Sequence, residues 1–129
     1  MKAAKIVHVV LDGGEPFPEL LGYFLSGESA AEFTIASVSQ CFNRAQGGFD
    51  ERILQPFGIP LRIFPKTVPP ATVIGRAGKD VLSGTGASPF NVTYVCHHDT
   101  ASAVMAVPST AGRFAYISSG TWSLMGTET

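Results

Sequence analysis

Apolar residues at Phe17, Leu20, Leu21 and Phe24 fall at i, i+3, i+4 and i+7, which gathers them on one face of an α-helix. Pro18 suits the first turn of that helix, and Gly27 suits the position just past its end. Before it, residues 5–11 (KIVHVVL) are apolar and β-branched and stop at Asp12-Gly13-Gly14, the signature of a strand and a turn. After it, the pattern predicts a second helix from near Ser29, carrying Ala30, Phe33, Val38 and Phe42, with Thr34, Ser37, Ser39 and Gln40 on its polar side. Gln46-Gly47-Gly48 reads as a turn. Asp50 then caps a third helix that turns Ile53, Leu54 and Phe57 inward and stops at Gly58 and Pro60.

The middle of the chain is punctuated differently. Pro60, Pro65, Pro69 and Pro70 predict extended chain over residues 59–70, because proline lacks the amide a helix interior needs. Residues 71–75 fit one short strand. The small, Gly/Ser-rich run 76–90 reads as a linker or lobe boundary.

From Asn91 to Cys96 the pattern returns to a strand, followed by a sharp turn with His98 and Asp99 and a short helix over residues 100–107. Pro108 breaks it. Phe114, Tyr116 and Ser118 alternate with Ala115, Ile117 and Ser119, and Trp122, Leu124 and Gly126 alternate in turn. These are two strands around a Ser119-Gly120 turn.

Composition narrows the class. A chain of 129 residues suffices for one domain that buries roughly two thirds of its unfolded surface. With 45% hydrophobic and 15% charged residues it is globular rather than disordered. A net charge of −1 and no basic stripe argue against nucleic acid or an anionic membrane as partner. No apolar run is long enough for a membrane span, and the N-terminal run lacks a cleavage site, so the cytoplasm is the expected compartment. Cys41 and Cys96 make no disulfide framework and read as buried thiols.

Chemistry concentrates at the strand–helix junction and at the hairpin turn. Asp99 has two competing uses. As an N-cap, its carboxylate accepts hydrogen bonds from the first helical turn. As a general base at the end of a strand, it accepts a proton from a substrate hydroxyl. Cys96, His97, His98 and Asp99 look like a metal cluster, but successive strand residues point to opposite faces, so all four cannot reach one ion. His98 is read instead as a substrate contact or a hydrogen-bonded core histidine, and no metal site is assigned. At the turn, backbone amides around Gly120 and the Thr121 hydroxyl suit phosphate oxygens. Asp12-Gly13-Gly14 lacks the Ser/Thr and the basic residue that a phosphate loop needs.

The strings HDTASAV and FAYISSGTWSLMG, in that order, resemble the start of the second lobe of FGGY-family carbohydrate kinases, nearest to the L-rhamnulokinase branch. LLGYFLSGESAAEFTIASVSQ and IFPKTVPPATVIG resemble the end of the first lobe, so the likeness covers residues 17–129. The resemblance implies an α/β fold: part of an actin-like, ribonuclease H-like two-lobe kinase. On that reading residues 1–90 close the first lobe and 91–129 open the second. It implies ATP with Mg²⁺, and L-rhamnulose or a related ketose as the sugar. Asp99 would take the proton from the 1-hydroxyl, His98 and Thr100 would contact the sugar, and Gly120 and Thr121 would contact ATP phosphate. His97 stands where that family has a small residue, often Gly, and its bulk is expected to crowd the cleft.

Members of that family run to several hundred residues, so the resemblance also implies a central fragment. The alternative is a chain with no activity of its own: a truncated remnant or an interaction module. Exposed strand edges and apolar faces are expected to make such a fragment self-associate. A metal-binding module built on Cys96, His97 and His98 is a third reading.

Overall fold

A computed structural model of the chain describes residues 17–110 and 112–128; the strand and turn expected over residues 5–14 lie outside them. The chain divides into two compact units, one ending at His97 and the other starting at His98.

The first unit opens with helix α1 (Phe17–Ser26), closed where the Gly27 amide, at φ 76°, donates to the Tyr23 carbonyl at 2.7 Å. The expected apolar face exists, but it is not the face that packs. Phe17 and Phe24 are 61% and 64% exposed and Leu21 is half exposed, while Gly22 is the buried residue of the helix. Helix α1 lies against strands β5 (Thr72–Arg76) and β6 (Asn91–Tyr94), and a ring takes the place of a side chain at Gly22.

The expected second helix is mostly something else. Ala30–Glu32 form strand β1, fully buried and parallel to β4 (Lys66–Val68), with Ala31 opposite Thr67. Only Phe33–Ser37 are helical (α2). The break falls at Glu32, whose own carboxylate caps α2 and so ends the strand and starts the helix at one residue. Strands β2 (Phe42–Asn43) and β3 (Gly48–Phe49) make a small hairpin around Gly47 at φ 69°. Its rings join a row: Phe33 on Phe42 at 5.3 Å, Phe42 on Phe49 at 5.8 Å, Phe49 on Phe64 at 4.4 Å.

Asp50 does cap helix α3 (Glu51–Leu54), and the chain turns out of it through a 3₁₀ segment (Gln55–Phe57) to Gly58 at φ 67°. Of the three residues expected to turn inward, only Leu54 is buried; Ile53 and Phe57 are exposed. The proline-rich segment is less extended than its composition suggests: it holds a 3₁₀ turn (Leu61–Ile63) and then strand β4.

Strands β5 and β6 pair antiparallel with a bulge between Val73 and Gly75. The segment between them, expected to be a linker, contains helix α4 (Lys79–Thr85) and is tied down at both ends. The Ala77 amide donates to the Phe90 carbonyl at 3.0 Å, and the Gly78 amide to the Leu25 carbonyl at 2.8 Å.

The second unit is helix α5 (Asp99–Met105) packed on the antiparallel hairpin β7 (Phe114–Ser119) and β8 (Ser123–Glu128). Ser119 pairs with Ser123, so the connection is Gly120-Thr121-Trp122, one residue later than expected, and Trp122 belongs to the turn. The Tyr116 ring covers Gly126 across the pair.

Candidate functional site

Asp99 is the first residue of α5, not its cap. The cap is His98, in extended backbone, whose Nδ1 accepts from the Ala101 amide at 3.3 Å. The cap thus falls one residue earlier than expected, on an imidazole nitrogen, while the Asp99 carboxylate still meets an amide of the first turn. Asp99 Oδ1 accepts from the neighbouring Thr100 amide at 2.6 Å and lies 3.4 Å from the Thr100 hydroxyl; the His98 Nδ1 is 3.8 Å away. The side chain is 97% exposed. A carboxylate in this setting is open to a solute.

His98 commits one ring nitrogen to the helix, and Thr100 is half-buried on the first turn. The Gly120 amide donates to the Trp122 carbonyl at 2.8 Å, so it is spent inside the turn. A phosphate held there would draw on Thr121, whose residue is exposed at the tip. Among the described residues no group of three His, Cys, Asp or Glu side chains could hold a metal ion. His98 caps α5 through its ring and Asp99 meets the Thr100 amide, so these two members of the Cys96–Asp99 run have separate partners. Neither Cys41 nor Cys96 is in a disulfide, and both are half-buried rather than buried.

The His97 side chain is buried in the first unit, tilted on the Tyr94 ring at 4.3 Å, with Nδ1 2.9 Å from Glu19 Oε1. Its amide donates to Glu32 Oε2 at 3.0 Å. Glu32 is completely buried. The same Oε2 accepts from the Thr34 amide at 3.0 Å, from the Ile35 amide at 3.4 Å and from the Thr34 hydroxyl. The Glu32 amide in turn donates to Glu19 Oε1 at 3.1 Å. Tyr94 hydrogen-bonds the Glu19 carbonyl at 3.3 Å, and burial, with the Glu19 charge adding to it, pushes its phenol up to about 12. Sequence reasoning missed this network. The signal available was a glutamate in an otherwise apolar stretch, Ala30-Ala31-Glu32-Phe33: a charge among buried neighbours needs partners.

Residues 17–106 match the model of the N-terminal domain of the FGGY family of carbohydrate kinases. Rhamnulokinases are similar along most of the chain. That of Ligilactobacillus salivarius (strain UCC118) is 40% identical over 111 residues, covering 86% of this chain and 23% of the relative. That of Bacteroides thetaiotaomicron is 42% identical over 112 residues, covering 87% and 23%. That of Yersinia pestis (strain Pestoides F) is 38% identical over 125 residues, covering 97% and 24%. The chain belongs to the FGGY family of carbohydrate kinases, whose fold is actin-like, and within it stands close to rhamnulokinase. It spans about a quarter of the length of the curated relatives it matches. No helix of the described residues is long and apolar enough to cross a membrane.

Proposed function

We propose that this chain is the part of a rhamnulokinase-type kinase that carries the general base, and that Asp99 is that base. The reaction is transfer of the ATP γ-phosphoryl group to the 1-hydroxyl of L-rhamnulose. The observation that carries the reading is the Asp99 carboxylate, 97% exposed at the start of α5, with His98 rather than Asp99 at the cap position. A base of this kind accepts the hydroxyl proton as the oxygen attacks phosphorus, which raises the nucleophilicity of an otherwise poor alcohol. His98 and Thr100 flank it and orient the sugar, and Gly120 and Thr121 bring the hairpin turn to the phosphates. Mg²⁺ would be held chiefly by the nucleotide's phosphates, which leave it only one or two protein carboxylates to take.

The test is Asp99→Asn in the complete kinase. Loss of a positioned base costs ~10²–10⁴-fold in kcat. An unchanged kcat removes Asp99 from the role. In the same reading the 129-residue chain alone turns over no ATP, since it spans only about a quarter of the length of the rhamnulokinases it matches, and it associates with itself through exposed apolar surface. Sugar-dependent ATP turnover by the purified chain would overturn that part. The lobe division at residues 90 and 91 belongs to the proposal as well; limited proteolysis that cuts first near residue 90 supports it, and first cleavage beyond His97 counts against it.

A further inference from the structure

We propose that Glu32 is a positioning residue for the segment that carries Asp99, acting through the backbone of His97. This rests on the base reading of Asp99 for its catalytic meaning, though not for its physical content. A fully buried carboxylate is expensive unless it is hydrogen-bonded, and Glu32 is fully buried. Capping α2 needs only the Thr34 and Ile35 amides, and an exposed cap would serve them as well. What burial adds is the third backbone donor, the His97 amide, which comes from a strand end far away in the sequence.

His97 is the last residue of the first unit, and Asp99 follows two residues later. Strand β6 ends at Tyr94, so no ladder bond of β6 fixes His97. Its place is set by Glu32 on the amide, Glu19 on the ring nitrogen and Tyr94 on the ring face. Glu19 reaches both others: its Oε1 meets the Glu32 amide and the His97 ring. Three elements, α1, β1 and the exit of β6, are thereby joined at the last residue of the first unit. Glu32 Oε1 is buried and has no partner among the described residues, so the whole load falls on Oε2.

The measurement is amide hydrogen exchange of the 129-residue chain, followed residue by residue by NMR. The His97 amide is expected to be protected in the wild-type chain although it lies outside any strand or helix. Glu32→Ala is expected to speed its exchange roughly tenfold or more, together with Thr34 and Ile35, and to shift the amide signals of His98–Thr100. Glu32→Gln, which keeps an oxygen acceptor, restores His97 protection. Leu54→Ala, a core truncation away from the network, speeds exchange across the first unit without singling out His97. An unprotected His97 amide in the wild-type chain overturns the proposal, and so does an exchange pattern in Glu32→Ala or Glu32→Gln that matches Leu54→Ala. In the complete kinase, Glu32→Gln is expected to preserve most of kcat, and Glu32→Ala to lower kcat with the KM for ATP unchanged. If Asp99→Asn leaves turnover intact while the exchange result holds, the base reading fails and the anchoring stands.

Discussion

The ring of Tyr94 occupies the space that a side chain at position 22 would need. A Cβ built on Gly22 would meet the ring carbons and lie 2.6 Å from the phenol oxygen. Tyr94 is among the most buried residues of the chain and cannot swing aside. Gly22→Ala therefore forces strand β6 and helix α1 apart. The expected loss is about 1–3 kcal/mol, the usual cost of overpacking, even though alanine favours helix. Urea unfolding of the variant checks this; equal midpoints would show that the contact yields freely.

The same tyrosine makes the first unit sensitive to alkali. Its folded value is raised to about 12, from the ordinary value of about 10. The unfolded chain therefore loses this proton first. The contribution is complete below about pH 10 and is lost as pH rises toward about 12. Denaturant midpoints measured across that range should fall in the wild-type chain and fall less in Tyr94→Phe.

Asp50 behaves in the opposite sense. Its Oδ1 accepts from the Arg52 amide at 2.9 Å and from Arg52 Nε at 3.0 Å, and its Oδ2 from Arg52 Nη2 at 2.7 Å and Asn43 Nδ2 at 3.0 Å. The Arg52 guanidinium, and then Asn43, hold the carboxyl well below the usual carboxylate range. With the folded value depressed, the stabilisation is present above about pH 4, the unfolded value, and drains away as pH falls below it. The stability gap between the wild-type chain and Asp50→Asn should accordingly be widest near neutrality and narrow in acid, as read from thermal unfolding at stepped pH.

On α1, Phe17, Leu21 and Phe24 stand in line and outward. Covering such side chains is worth about 1.5–3 kcal/mol each. Leu21→Lys with Phe24→Lys should lower the self-association of the chain at least tenfold in sedimentation equilibrium. Association that persists unaltered would point to another surface.

Local features were legible in the residues. Gly27, the Asp50 cap, Gly58, the β5 segment and the β7–β8 pair all follow from chemistry confined to a few neighbours. What escaped was set at a distance. Ala30–Glu32 became a strand because Lys66–Val68 pairs with it, which no periodicity in its own window encodes. The 3.6-residue period told which side chains of α1 share a face but not which face is covered; the small residue Gly22 held that information. At the candidate site, the strand–turn–helix order around Asp99 was visible, while the identity of the cap was not, since His98 and Asp99 are adjacent and both carry acceptors. The Glu19–Glu32–His97 network joins residues too far apart for any local pattern to link.

The ladder of β7 and β8 closes across only three intervening residues, whereas β1 must wait for β4. Short-range hairpins zip in about 1–10 μs, and parallel pairs need a long loop to close before they gain anything. The two units should thus acquire shape on different clocks. During refolding the tryptophan fluorescence of Trp122, which sits in the hairpin connection, should settle before the aromatic row around Phe42 is assembled.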